Sequence, residues 1–67
     1  MNVDSSDTRV AGKLRAILLE LARREDDSAA NEAAATPYWS STPTTVLGHR
    51  SAAALLRATA DQFLIAP

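Results

Sequence analysis

The feature that most constrains this chain is an apolar stripe near its beginning, which we call the first stripe. Its members are spaced four, three, one and three residues apart: Val10, Leu14, Ile17, Leu18 and Leu21. On an α-helix this spacing puts all five side chains on one face. The stripe therefore predicts an amphipathic helix whose apolar face must be covered by another surface.

A second stripe with helical spacing lies nearer the other end of the sequence. Its members are Ala52, Leu55, Leu56, Thr59 and Phe63. Its first member is small and its fourth is polar, so it offers less apolar surface to bury than the first stripe. The two stripes either cover each other or are covered by a partner.

The two stripes predict an all-α fold, a small helical hairpin that forms a single domain over residues 1–67. The predicted elements are a polar tail at 1–6, a helix at about 7–24, a further short helix that the sequence permits at 28–35, a loop rich in Pro, Ser and Thr at 36–50 and a helix at about 51–65.

Local signals set these boundaries. The acidic run 25–27 is expected to end the first helix as solvated charge, and Pro37 ends any continuation because proline lacks an amide proton. Thr42 and Pro43 resemble the start of a single turn ending at Gly48. Ser51 is expected to cap the last helix, with Arg57 and Asp61 paired one turn apart.

The small size of the chain limits how stable such a hairpin can be. A chain of 67 residues without cysteine buries only about 60% of its unfolded surface and has no disulfide to stabilise it. The isolated hairpin is therefore expected to be only marginally stable. Oligomerisation or docking on a larger protein would remove more apolar surface from water.

Charge and targeting signals exclude several classes of protein. The formal net charge of -1 gives no strongly basic surface, so nucleic acid is not expected as a partner. The polar, acidic start is unlike a secretory signal, and no apolar run approaches the roughly 20 residues that span a bilayer. We expect a cytoplasmic protein, and the preference for arginine over lysine is typical of a GC-rich bacterial or phage genome.

Tyr38 and Trp39 are adjacent aromatic residues in the proline-flanked loop. One interpretation is that one ring packs over the hairpin and fills its core. The other is that the rings anchor a partner, because tryptophan and tyrosine dominate interface energetics. The phenylalanine of the second stripe has the same two interpretations, as core residue or docking residue.

The residues that usually carry chemistry do not cluster in this sequence. His49 is the only histidine, and no nucleophile, cysteine or carboxylate group accompanies it in a pattern typical of catalysis or metal binding. The sequence therefore predicts no enzyme, no catalytic residue, no metal site and no cofactor.

The leading functional interpretation is a small non-enzymatic interaction protein, an accessory subunit, adaptor or inhibitor. It binds a larger protein or forms a homo-oligomer through an amphipathic helix. The expected partner-binding residues are Val10, Leu14, Ile17, Leu18, Leu21, Tyr38, Trp39 and Phe63. The alternative is a small dimeric transcriptional regulator or antitoxin that binds DNA or a toxin.

One helix, an alanine-rich spacer and a lone tryptophan give the chain a layout that resembles the small epsilon subunits of actinobacterial acyl-CoA carboxylases. That family's glycine-containing opening and its arginine- and proline-rich tail are missing here. The resemblance exemplifies the accessory-subunit class and assigns no role to any residue.

Overall fold

The computed structural model describes residues 5–64, with side chains from Asp7 onward. Two α-helices, α1 (Ser5–Ala35) and α2 (Thr44–Asp61), pack antiparallel. The Cα atoms extend over 60 × 16 × 13 Å, the dimensions of two helices laid side by side. The predicted all-α helical hairpin is confirmed.

The first helix runs through the acidic segment where the sequence predicted its end. α1 spans 31 residues without interruption, so residues 25–35 extend the first helix instead of forming a separate short one. Glu25 hydrogen-bonds the imidazole of His49, and Asp26 accepts a hydrogen bond from Arg57. These carboxylates point at α2, and their partners there offset the cost of placing three acidic residues in succession.

The connection between the helices is shorter than predicted. Pro37 lies two residues beyond the end of α1, and the Thr36 hydroxyl before it donates to the Glu32 carbonyl at 2.9 Å. The Thr36 amide donates to the Ala33 carbonyl at 3.1 Å. These bonds give partners to two of the four carbonyl groups that the end of a helix leaves without them.

The second helix begins seven residues before the predicted boundary of 51, at Thr44. Pro43 occupies the N-cap position without a side-chain cap, and Gly48 and Ser51 lie inside the helix. The expectation that Gly48 ends a turn and Ser51 caps a helix is therefore wrong. Alanine and leucine in the rest of α2 favour helix strongly enough to carry one glycine, which costs about 1 kcal/mol.

The other end of α2 lies close to its predicted position. The helix ends at Asp61, and the amides of Gln62 and Phe63 bond back to the carbonyls of Thr59 and Ala60 at 3.1 and 2.9 Å. The predicted helix end at about 65 is too late, because residues 62–64 follow α2 as a turn, and Ile65 itself lies outside the described residues. The predicted pairing of Arg57 with Asp61 is wrong, because Arg57 reaches Asp26 across the helix contact instead.

The helices meet along a seam of small side chains. The buried apolar residues are Ala22, Ala29, Val46, Ala53 and Ala60. They recur every seven residues on each helix, the repeat of a coiled-coil contact. Val46 is the only residue larger than alanine that is fully buried among the described residues. The hairpin is therefore held by close packing of alanine and by polar contacts, with little large apolar surface inside.

Candidate interaction surface

Four members of the first stripe remain exposed on the side of the hairpin. Val10 and Ile17 are 54% and 56% exposed, and Leu14 and Leu21 are each 40% exposed. We call these four residues the exposed row. Their spacing of 4, 3 and 4 residues is that of a coiled-coil seam. Within this chain they are only partly covered, although each is a large aliphatic side chain.

Leu18, the fifth member of the first stripe, is half-buried. It is separated from Ala22 and Ala29 by four and eleven residues, which places it on the same face of α1 as the alanine seam. The exposed row lies about 100° around the helix axis from those alanines, at 100° per residue. The first stripe therefore serves two contacts, with Leu18 facing α2 and the exposed row facing sideways.

The second stripe contributes apolar surface to the same side of the hairpin. Asp26 and Arg57 pair along one flank of the helix contact. On α2, Leu56 lies on the opposite side of Ala53 and Ala60 from Arg57 and is half-buried. This second flank also carries the exposed row. Phe63, two residues beyond the end of α2, is half-buried.

Charged residues border the exposed row on its outer edge. Arg23 donates a hydrogen bond to Glu20, and Arg24 Nε lies 3.6 Å from Glu20 Oε1. The Arg23 hydrogen bond lowers the pKa of Glu20 and raises the pKa of Arg23. A shallow depression lies between them and the row, lined by Ala16, Ile17, Glu20, Leu21 and Arg24.

The two loop aromatics lie apart from the exposed row. Tyr38 and Trp39 are 94% and 75% exposed, and their ring centroids are 5.0 Å apart in an edge-to-face arrangement. The interpretation that one ring fills the core is therefore wrong. Leu21 precedes the end of α1 by 14 residues, which is about 21 Å of helix. The structure does not join the predicted partner-binding residues into one surface.

His49 lies in a polar cluster between the helices. Its Nδ1 pairs with Glu25, and its Nε2 lies 3.9 Å from Glu32. Glu32 also accepts a hydrogen bond from the Thr45 hydroxyl. These contacts align the helices near their connection. Within residues 7–64, no group of three or more acidic, histidine or cysteine side chains is arranged to hold a metal ion.

Sequence reasoning missed the structural role of the glutamates in this cluster. The sequence predicts Glu25 as solvated charge at a helix end and places Glu32 in a further short helix, whereas both contact α2. The available signal was their spacing with Ala22 and Ala29, in steps of three and four residues. The matching steps of Val46, His49 and Ala53 on α2 continue the same heptad rhythm.

No family model, curated protein or solved structure matches this chain. In the part of the chain that the structure describes, neither helix combines the length and the apolar character needed to cross a bilayer.

Proposed function

We propose that this chain is a small, cytoplasmic, non-enzymatic interaction protein that acts by binding through the exposed row. Such a protein is an accessory subunit, an adaptor or an inhibitor. The partner is a larger protein or further copies of the chain. The observation that carries the proposal is the row itself, four large aliphatic side chains aligned on one flank and 40–56% exposed. Contiguous exposed apolar surface of this kind marks interaction sites.

The distribution of apolar residues supports this proposal. The buried helix contact inside the hairpin consists of four alanines and Val46, whereas the exposed row on the flank consists of one valine, two leucines and one isoleucine. Fully burying one such side chain is worth about 1.5–3 kcal/mol, which is large against the marginal stability expected of a chain this short. Association through the row would therefore stabilise both the complex and the hairpin.

The arrangement of charge favours a protein partner over nucleic acid. Four arginines lie within 4 Å of a carboxylate oxygen: Arg15, Arg23, Arg24 and Arg57. Phosphate recognition needs cationic groups that are available to the ligand. Pairing with internal carboxylates reduces that availability, so the alternative of a DNA-binding regulator gains no support from these contacts.

The proposal is tested by photo-cross-linking in cells of the native host. A benzophenone amino acid replaces Ile17 in one variant and Leu47 in a matched control, because Leu47 is 53% exposed but lies outside the row. We expect adducts from position 17 and few from position 47. Equal adduct yields, or none from position 17, would refute the row as the binding surface.

A second comparison uses charge in place of a cross-linker. Ile17→Asp is expected to abolish association while circular dichroism of the chain retains its helical minima, because Ile17 does not face α2. Leu47→Asp introduces the same charge at similar exposure and is expected to leave association intact. Leu18 is unsuitable for this test, since a charge there would enter the helix contact itself.

A further inference from the structure

The exposed row has a charge at each end, and the two charges are opposite. Asp7 precedes Val10 by three residues and Arg24 follows Leu21 by three, so both continue the heptad steps of the row. These six positions from Asp7 to Arg24 form a second seam, distinct from the alanine seam. Read in either direction, it has one charged position, four aliphatic positions and one charged position. Only the sign of the charge distinguishes its two ends.

This pattern is complementary to itself when a second copy runs antiparallel. With the midpoint of the row as the centre, Leu14 lies opposite Ile17 of the second copy and Val10 opposite its Leu21. The same register puts Asp7 opposite Arg24. A parallel register instead puts Asp7 against Asp7 and Arg24 against Arg24, which is unfavourable because like charges repel.

The residues beside the seam agree with the antiparallel register. Lys13 and Glu20 each precede a seam residue by one position, and such flanking positions pair with each other between antiparallel helices. Lys13 of one copy therefore lies beside Glu20 of the other, twice by symmetry. In a parallel pair, Glu20 would lie beside Glu25 of the second copy.

The unequal lengths of the two helices leave room for this arrangement. The last residue of α2, Asp61, lies 3.9 Å from Arg15, so α1 extends past the end of α2 by about ten residues, or about 15 Å. In the antiparallel register, residues 7–14 of one copy lie alongside residues 17–24 of the other.

From this complementarity we infer that the partner of the exposed row is α1 of a second copy of this chain, in an antiparallel, two-fold symmetric dimer. The inference rests on the proposed function, because it uses the same surface and names its occupant. A two-fold interface uses the same patch on both copies, and the seam from Asp7 to Arg24 meets that requirement.

The test is the mass of the full chain in solution by sedimentation equilibrium, with charge-reversed variants. We expect a wild-type dimer. Lys13→Glu places a second carboxylate beside Glu20 at two symmetric contacts and weakens the dimer roughly tenfold. Glu20→Lys weakens it as well, and an equimolar mixture of the two variants recovers a heterodimer. One copy then presents two carboxylates and the other two ammonium groups, so opposite charges meet at both contacts.

Two controls separate the possible outcomes. Arg9→Glu makes the same charge change as Lys13→Glu about 110° around α1 from the row and is expected to leave the dimer intact. Circular dichroism shows whether Glu20→Lys, which also removes the contacts to Arg23 and Arg24, still forms helix. If Glu20→Lys strengthens the dimer, or the mixture does not recover it, the antiparallel register is wrong.

The failure of this inference is distinguishable from failure of the proposed function. A wild-type chain that stays monomeric, with position-17 cross-links to a different protein, would overturn the second copy as occupant and leave the binding function standing. A monomer without adducts from position 17 would overturn both. A dimer whose adduct has twice the mass of the chain supports both.

Discussion

The two halves of α1 differ in the kind of side chain they offer. From Val10 to Leu21 the helix carries six large aliphatic residues, whereas from Ala22 to Ala35 alanine is its only apolar residue. The second half packs along α2 with alanine and with polar partners. The first half carries the exposed row and continues past the end of α2.

Under the proposed function, folding and association therefore use separate residues. Small side chains let the two helices approach closely, and the contacts of Glu25 and Glu32 fix how the helices align. The large aliphatic residues contribute less to the hairpin than to a surface that another helix can cover. Substitutions in the two halves should therefore have different consequences.

The largest expected effect is at the alanine seam. Ala53→Leu inserts three carbon atoms where the side chain is fully buried, and overpacking of this kind costs about 1–3 kcal/mol. We expect most of the hairpin's stability to be lost in urea unfolding followed by circular dichroism. Ala54→Leu, at the exposed neighbouring position, is the control and should change stability little. Equal losses of stability at the two positions would contradict the assignment of the alanine seam as the helix contact.

The next effect is at the polar cluster of the second half. A double-mutant cycle of Glu25→Ala and His49→Ala should give a coupling energy of about 1 kcal/mol, because the two side chains share a part-buried hydrogen bond. Urea unfolding of the four proteins measures it. A coupling energy near zero would mean that the polar cluster does not align the helices. The second half of α1 would then not hold the hairpin through its polar contacts.

A smaller effect is expected at the connection. Trp39→Ala should change the free energy of unfolding by less than about 0.5 kcal/mol, because the ring is 75% exposed. Thermal unfolding followed by circular dichroism checks this. A clear loss of stability would show that the loop aromatics contribute to the hairpin after all.

The smallest effect is at the edge of the exposed row. The hydrogen bond from Arg23 lowers the pKa of Glu20 below its ordinary value of 4.5, so the pair favours folding above that pH and is lost as the pH falls through the lowered pKa. In Arg23→Ala we expect the pKa of Glu20 to rise towards 4.5 in a titration followed by NMR. Arg9→Ala should leave it unchanged.

The fold class could be predicted because helical periodicity is a local property of the sequence. The face that packs inside could not be predicted by looking for large apolar residues, since Ala22 and Ala29 lie on the contact and Ile17 lies outside it. Hydrophobicity ranks leucine above alanine, but close helix packing favours the smaller side chain. The available signal was the heptad spacing of the alanines, which a search for large apolar residues overlooks.

The end of α1 and the start of α2 were misplaced for a related reason. An acidic run and a glycine read as breaks when each segment is considered alone. Across the hairpin, Glu25 and Asp26 meet His49 and Arg57, and such tertiary contacts override local preference. The candidate surface was predicted in part, since the exposed row was identified but its distance from the loop aromatics depends on the unbroken length of α1.

That unbroken length makes α1 a rigid spacer between the exposed row and the loop. Eighteen residues of continuous helix separate Ile17 from Ala35, a distance of about 27 Å, with Trp39 just beyond the helix end. Proteins bound at the row and at the loop would be held at a set separation and at a set angle about the rod. Inserting a single residue into this span would rotate one attachment relative to the other by about 100° while lengthening the rod by only about 1.5 Å.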